Sequence, residues 1–247
     1  MNLTGSFFNK PAMIDYRKPL KAKANEAYLQ QRGISKQDNP YQEQIIDQKK
    51  LFLIICEGDN TEKGYFEGFP VPTKNVIVEG GCGSKTALVE HALRLQKEKK
   101  YEGREIWCVF DFDVNRVEAA TQPEDFNQSI EKAYQNGMKV AWSNDAFELW
   151  FVLHYQHLES AFTRFELNPI LREKWGLDSF SKEAKSTRFC AAHYERFGGT
   201  KSTAQALAIR RAKALHETFA GRKDYAKHCP CTTVYELVEE LNKNLKG

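Results

Sequence analysis

Ile106-Trp-Cys-Val-Phe-Asp111-Phe-Asp113 decides how this chain is read. Five apolar residues in an unbroken run are too few for a helix of typical length but suit a strand buried on both faces, and the run ends in two carboxylates one residue apart. Because side chains alternate along extended backbone, the spacing predicts that Asp111 and Asp113 point the same way where the strand leaves the sheet. Two like charges on one side of a strand end call for a cation. A second run, Leu51-Phe-Leu-Ile-Ile-Cys56, also ends in a carboxylate, Glu57, followed at once by Gly58. If both strands lie parallel in one sheet, Glu57, Asp111 and Asp113 meet at its carboxyl edge, where open α/β sheets place ligands.

Outward from these runs the chain alternates. Strands are expected at 51–56, 75–79, 105–110 and 138–142, and helices at about 61–66, 84–99, 124–136 and 145–155. That alternation predicts an α/β fold with a four-stranded, mainly parallel sheet flanked by helices. Ser84 stands where it can cap a helix carrying Leu88, Ala92 and Leu95 on one face, and Gly137 stands where a helix would end before the fourth strand. The segments 182–196, 201–220 and 232–245 have helical periodicity and no strand pattern. Three regions follow: a basic N-terminal arm (1–50), a catalytic core (51–157) and a helical C-terminal region (158–247).

Composition narrows the class. The 247 residues suffice for a substantial core, and no apolar run approaches the roughly 18 residues of a membrane span. The opening residues lack a secretory pattern, so the expected location is cytoplasmic. Cys56 and Cys108 lie inside apolar strands and read as small hydrophobes. His228-Cys229-Pro-Cys231 lacks the paired spacing of a structural zinc site. The formal net charge of +3 hides an uneven distribution. Residues 1–50 hold nine Lys/Arg against five Asp/Glu (+4), residues 51–160 eleven against eighteen (−7), and residues 161–247 sixteen against ten (+6). An acidic centre flanked by basic segments suits an enzyme acting on phosphoesters or nucleic acid.

Other residues bear on the same edge. Glu148, at the start of the helix after the fourth strand, is placed to complete a second metal position, although Asp145-Ala-Phe-Glu148 also has the spacing of a capping box. His154 lies on the apolar side of that helix, between Leu153 and Tyr155, where it reads either as a packed side chain or as a further candidate for a substrate phosphate. Gly80-Gly-Cys-Gly-Ser-Lys-Thr86 follows a strand and opens a helix, so its backbone N–H groups, with Ser84 and Lys85, are candidates for a substrate phosphate. It is not a Walker loop, because that register needs glycine at Glu79 and Ser84.

Cys-Glu-Gly-Asp-Asn-Thr-Glu at 56–62 with Tyr65-Phe66, Val-Phe-Asp-Phe-Asp at 109–113 and Ala-Trp-Ser-Asn-Asp-Ala-Phe-Glu-Leu-Trp at 141–150 follow one another in an order that resembles the RloB-like family, with a weaker match at Pro230–Val238. The resemblance implies a Toprim-like core. It also implies a nuclease of antiphage defence that acts on DNA or RNA phosphodiesters, tRNA among them, and works beside an AAA-type ATPase. On that pattern Glu57 serves in acid/base chemistry or metal binding, and Asp111 and Asp113 bind Mg²⁺ or Mn²⁺. Carboxylate oxygens suit such an ion independently of the resemblance. Two other classes stand beside the nuclease: a nucleotidyl- or phosphoryl-transfer enzyme, and a catalytically silent or partner-gated module that binds nucleic acid.

Overall fold

The two quoted runs are neighbours in a parallel sheet. In the computed structural model, which describes residues 50–113, 121–177, 184–199 and 203–245, β1 (Leu51–Cys56) pairs with β3 (Arg104–Asp111), Leu53 opposite Ile106 and Cys56 opposite Val109. β2 (Val76–Glu79) lies on the far side of β1, and β4 (Lys139–Asn144) pairs with β3, Asp111 opposite Ser143. All four run parallel. The helices that connect them are α1 (Thr61–Glu67), α2 (Lys85–Leu95) and α3 (Gln122–Gln135). The predicted basic arm, apart from Lys50, lies outside the described residues.

Alternation explains why the strands read as continuous apolar runs. Phe52, Ile54, Cys56, Trp107, Val109 and Ala141 enter one core, whereas Leu53, Ile55, Ile106, Cys108, Phe110 and Trp142 enter another on the opposite face. A strand buried on both sides has no polar face to show. The second core is closed by α2 and α3 through Leu88, Val89, Phe126 and Ile130. Ser84 caps α2, its hydroxyl accepting from the Ala87 N–H at 3.3 Å, and Gly137 adopts φ 73° after α3 as a helix-ending glycine should.

The first core is closed by α4 (Glu148–Leu153), α5 (Arg164–Trp175), α8 (Thr203–Glu217) and α9 (Val234–Asn242), with the short α6 (Thr187–Ala191) and α7 (His193–Arg196) beside them. Trp150, Leu167, Leu171, Ala208, Ala212, Val238 and Leu241 join the sheet residues in one cluster, so these helices share the core of the sheet. Gly64 and Gly68 make room for α6. A Cβ on Gly68 would lie 2.1 Å from the Ala191 carbonyl oxygen, and one on Gly64 would lie 2.6 Å from that of Thr187. Among the described residues no helix is long and apolar enough to cross a membrane.

The expected four-stranded sheet needs correction. A fifth strand, β5 (Cys231–Thr232), pairs antiparallel with β4, so the sheet is mixed, in the order β2-β1-β3-β4-β5. It is two residues long and continues directly into α9, which is why its residues read as the start of a helix. Side chains extend what so short a ladder cannot: the Thr233 hydroxyl accepts from the Trp142 N–H at 2.9 Å and donates to the Val140 carbonyl at 3.1 Å. Helix α5 also escaped the periodicity reading, because Pro169 interrupts it and only Leu167 and Leu171 of its residues are buried. Its start is nonetheless written locally, as a capping box of Thr163 and Glu166.

Candidate active site

Glu57 emerges directly from β1, its N–H donating to the Val109 carbonyl at 2.9 Å so that the ladder runs one residue past the strand. Asp111 is the last residue of β3 and is 6 % exposed. Its Oδ2 accepts the Phe147 N–H at 2.8 Å, while its Oδ1 is buried with no hydrogen-bond partner among the described residues. Glu148 comes to the same place from the first residue of α4 and is 3 % exposed. The fourth acid is Glu62, half-buried in the first turn of α1.

These four carboxyls repel one another in a poorly solvated edge. Burial, then Glu62 and Glu148, push Asp111 well above the usual carboxylate range against the hydrogen bond from Phe147. Burial, with Glu148 and Glu57, raises Glu62 to about 7. Burial raises Glu57 too, against the opposing pull of Lys85. Desolvation and like charge both penalise the ionised form, and they act together here.

Protein cations offset part of that charge. Lys85, buried at the start of α2, reaches Glu57 Oε1 at 3.4 Å. Lys185 pairs with Glu148 at 3.0 Å, and Arg164, at the start of α5, pairs with Asp113 Oδ1 at 2.6 Å. Lys185 enters because α6, which follows it, is seated on Gly64 and Gly68.

Asp113 does not continue the pleat. β3 ends at Asp111, and Asp113 adopts φ 52°, a left-handed conformation, with its N–H on the Asp145 carbonyl at 2.9 Å. The alternation argument therefore stops two residues short of it. Asp113 remains close enough to raise Glu57 electrostatically, but its carboxylate is half-exposed and turned to Arg164. Asp145 and Glu148 form no capping box: Phe147 precedes the helix without a side-chain cap, and Asp145 Oδ2 instead accepts the Arg164 N–H at 2.9 Å.

The residues expected at a substrate phosphate are dispersed. Ser84 is exposed and spends its hydroxyl on the helix cap, and Lys85 turns inward to Glu57. Gly80 and Gly81 back onto Asp59: a Cβ on Gly81, which has φ 78°, would lie 2.6 Å from Asp59 Oδ2. A carboxylate thus stands against the loop that was read as an anion cradle. His154 belongs to the core. It lies six residues beyond Glu148, about 9 Å along a helix axis, is 4 % exposed, and stacks on Phe197 with ring centroids 3.7 Å apart. Burial pushes its pKa down to about 3, so it is neutral and enclosed.

Sequence reasoning missed Glu62 and Lys185. Glu62 had a signal, since a helix opening three residues after Gly58 turns its first acid back to the strand end. Lys185 comes from a segment with no chemistry-bearing pattern.

Among the described residues no three Asp, Glu, His or Cys side chains stand together as a ready metal-coordinating group. The donor set nonetheless fits a hard divalent cation. Its donors are carboxylate oxygens, one of them buried and unpartnered, and their mutual repulsion is what a bound cation relieves. A family model described as RloB-like protein matches residues 52–241. No curated protein and no solved structure matches the chain.

Proposed function

The chain belongs to the RloB-like family, and from that premise we propose that it is a divalent-metal-dependent nuclease cutting DNA or RNA phosphodiesters, an effector of antiphage defence by abortive infection with an AAA-type ATPase as partner. The observation that carries the reading is the buried Asp111 at the carboxyl edge of the sheet, whose Oδ1 has no hydrogen-bond partner among the described residues and which feels the charges of Glu62, Glu148 and Glu57. The defence role and the ATPase rest on family resemblance. The core is Toprim-like in this reading, with β5 an addition at the β4 edge.

Asp111, Glu57 and Asp113 would hold Mg²⁺ or Mn²⁺, with Glu148 available to a second position. Such a cation supplies charge stabilisation at a phosphoryl oxygen and lowers the pKa of bound water. The chain's own part is positional. The Phe147 N–H fixes Asp111 Oδ2 and leaves Oδ1 for the ligand. Lys85 holds Glu57 at the edge, where it can take or return a proton through water. Arg164 and Lys185, partly exposed, can turn from Asp113 and Glu148 to the negative charge of a substrate phosphate.

The test is a cleavage assay on plasmid DNA and total RNA with Mg²⁺ or Mn²⁺, and with chelator, using wild type, Glu57→Ala and Asp111→Asn. Scission lost in chelator and reduced at least about a hundredfold in both variants is the expected result. Wild-type cleavage by folded variants would sink the reading. A second reading has its own support: Lys85, Lys185 and Arg164 already neutralise three of the acids, as a silent or partner-gated binding module would require. Such a module binds nucleic acid with a steep salt dependence and shows no melting shift with Mg²⁺.

A further inference from the structure

Phe165 is the most exposed large apolar side chain among the described residues, at 77 %. Its place is fixed by the candidate site. The neighbouring Arg164 N–H donates to Asp145 Oδ2, the Asp145 carbonyl accepts the Asp113 N–H, and the Arg164 guanidinium pairs with Asp113. The backbone that carries the ring is therefore tied at one remove to a proposed metal ligand. The ring is held out to solvent because α5 buries its other side through Leu167 and Leu171.

The exposed side of α5 continues from Phe165 at helical spacing through Pro169 and Arg172 to Gly176. The last three line an open depression of about 540 Å³. This face of α5 thus offers, in order from the site, a free aromatic ring, a proline surface and Arg172 beside Glu173, while Arg164, about 100° round the helix from Phe165, is turned to Asp113 on the acidic edge.

We infer that this face of α5 binds a single strand of nucleic acid, with a nucleobase stacked on Phe165 and the backbone running toward Arg172. The inference rests on the nuclease reading and names its substrate class. A flat ring open to solvent takes the face of any base, but only when that base is not already stacked between neighbours, so an intact duplex has nothing to place there. A ring with an exposed arginine two turns beyond it follows the composition of single-strand grooves, where aromatic platforms alternate with cations that track phosphates.

The experiment uses the full chain carrying Glu57→Ala, which leaves any substrate uncut, and a short oligonucleotide with one 2-aminopurine, presented single-stranded or as a duplex. Phe165 should quench the fluorescent base. Phe165→Ala should weaken single-strand binding roughly tenfold or more and abolish the quench, Phe165→Trp should restore both, and duplex binding should be indifferent to residue 165. Single-strand affinity unchanged by Phe165→Ala overturns the inference, as does a duplex equally sensitive to it. Cleavage by the chain without Glu57→Ala separates the two readings. Metal-dependent cutting of single strands that ignores Phe165 defeats this inference and leaves the nuclease standing. Phe165-dependent binding with no cutting under any metal defeats the nuclease and leaves the strand-binding face.

Discussion

The two ends of α4 bury titratable groups by opposite means. At its start Glu148 joins Glu57, Glu62 and Asp111, and the cluster is held by Lys85, Lys185 and the Phe147 N–H. Past its end His154 enters a stack of rings, with Phe197 against it, His193 on Phe197, and Trp175 on His193. There the polar atoms are satisfied by halves. His154 Nδ1 donates to the Trp150 carbonyl at 2.9 Å and His193 Nδ1 accepts from Arg196 at 2.8 Å, while both Nε2 atoms are buried without partners. Charge matching leaves a site that can accept a cation; ring stacking leaves one that rejects a proton. The difference separates the part of the molecule for which chemistry is proposed from a part that packs the core.

The sharpest way to break that comparison is with acid, because the two ends respond with opposite sign. Burial, aided by the nearby cations Arg211 and Arg196, lowers His154 and His193 to about 3, whereas in the unfolded chain they titrate near 6.5. Below pH 6.5 the unfolded state binds protons that the folded state refuses, so this end loses stability as pH falls, by about 2 kcal/mol per histidine at pH 5. Glu62, raised to about 7 from an ordinary carboxylate value, does the reverse: between those values the folded state holds the extra proton, and acidification stabilises. Asp111 and Glu57, raised alongside Glu62, add to that gain, so urea denaturation in chelator from pH 7.5 to 5 should show the two contributions opposing each other in wild type. His154→Gln with His193→Gln should remove the loss and expose the gain, whatever the variant's absolute stability. Parallel profiles for the two proteins would mean that the ring stack tolerates protonation.

A substitution at the seat of α6 should disturb both ends together. Lys185 precedes this helix and His193 follows it, so the close approach over Gly64 and Gly68 sets the register of the ion pair and of the stack. Gly68→Ala puts a methyl into the Ala191 carbonyl, 2.1 Å from its Cβ, and should cost about 1–3 kcal/mol as the helix shifts. Denaturation measures that cost, and a smaller pH slope in the same variant would register the loosened stack. Gly68 itself has φ −73°, so its substitution tests the clash alone, whereas Gly83→Ala, with φ 81° and no atom within 4 Å, tests backbone strain without a clash.

What the sequence made legible was whatever is encoded over a few neighbouring residues. β1, β3 and β4 were readable as apolar runs, Ser84 and Gly137 as helix punctuation, and Glu57 and Asp111 as strand-end acids, because each depends on local pattern. β5 was not legible, since two residues carry no periodicity and their strand character comes from Thr232 and Thr233 meeting β4 some ninety residues away. α5 was hidden by Pro169 and a sparse buried face. At the site the limit was similar. Glu62 sat inside the quoted motif but needed the helix direction, Lys185 needed the tertiary contact of α6 on α1, and the left-handed turn at Asp113 needed the Asp145 carbonyl that accepts its N–H.

The smallest expected effect tests whether the acidic end is strained in the way described. Asp111→Asn keeps an oxygen for the Phe147 N–H and removes a charge that burial, Glu62 and Glu148 all oppose. In chelator the variant should be more stable than wild type by about 1 kcal/mol, a rise of about 2–4 °C in melting temperature for a chain of this size. Function and stability are then in opposition at one atom, as expected where a site keeps charges it cannot fully satisfy. Adding Mg²⁺ should raise the melting temperature of wild type and raise that of Asp111→Asn less, since the proposed site then lacks one of its carboxylate ligands and the binding free energy that adds to the folded state is smaller. If the variant is instead less stable in chelator, Asp111 is an ordinary structural acid whose hydrogen bond outweighs its repulsion. The contrast between a charge-matched end and a ring-stacked end would then lose its physical basis.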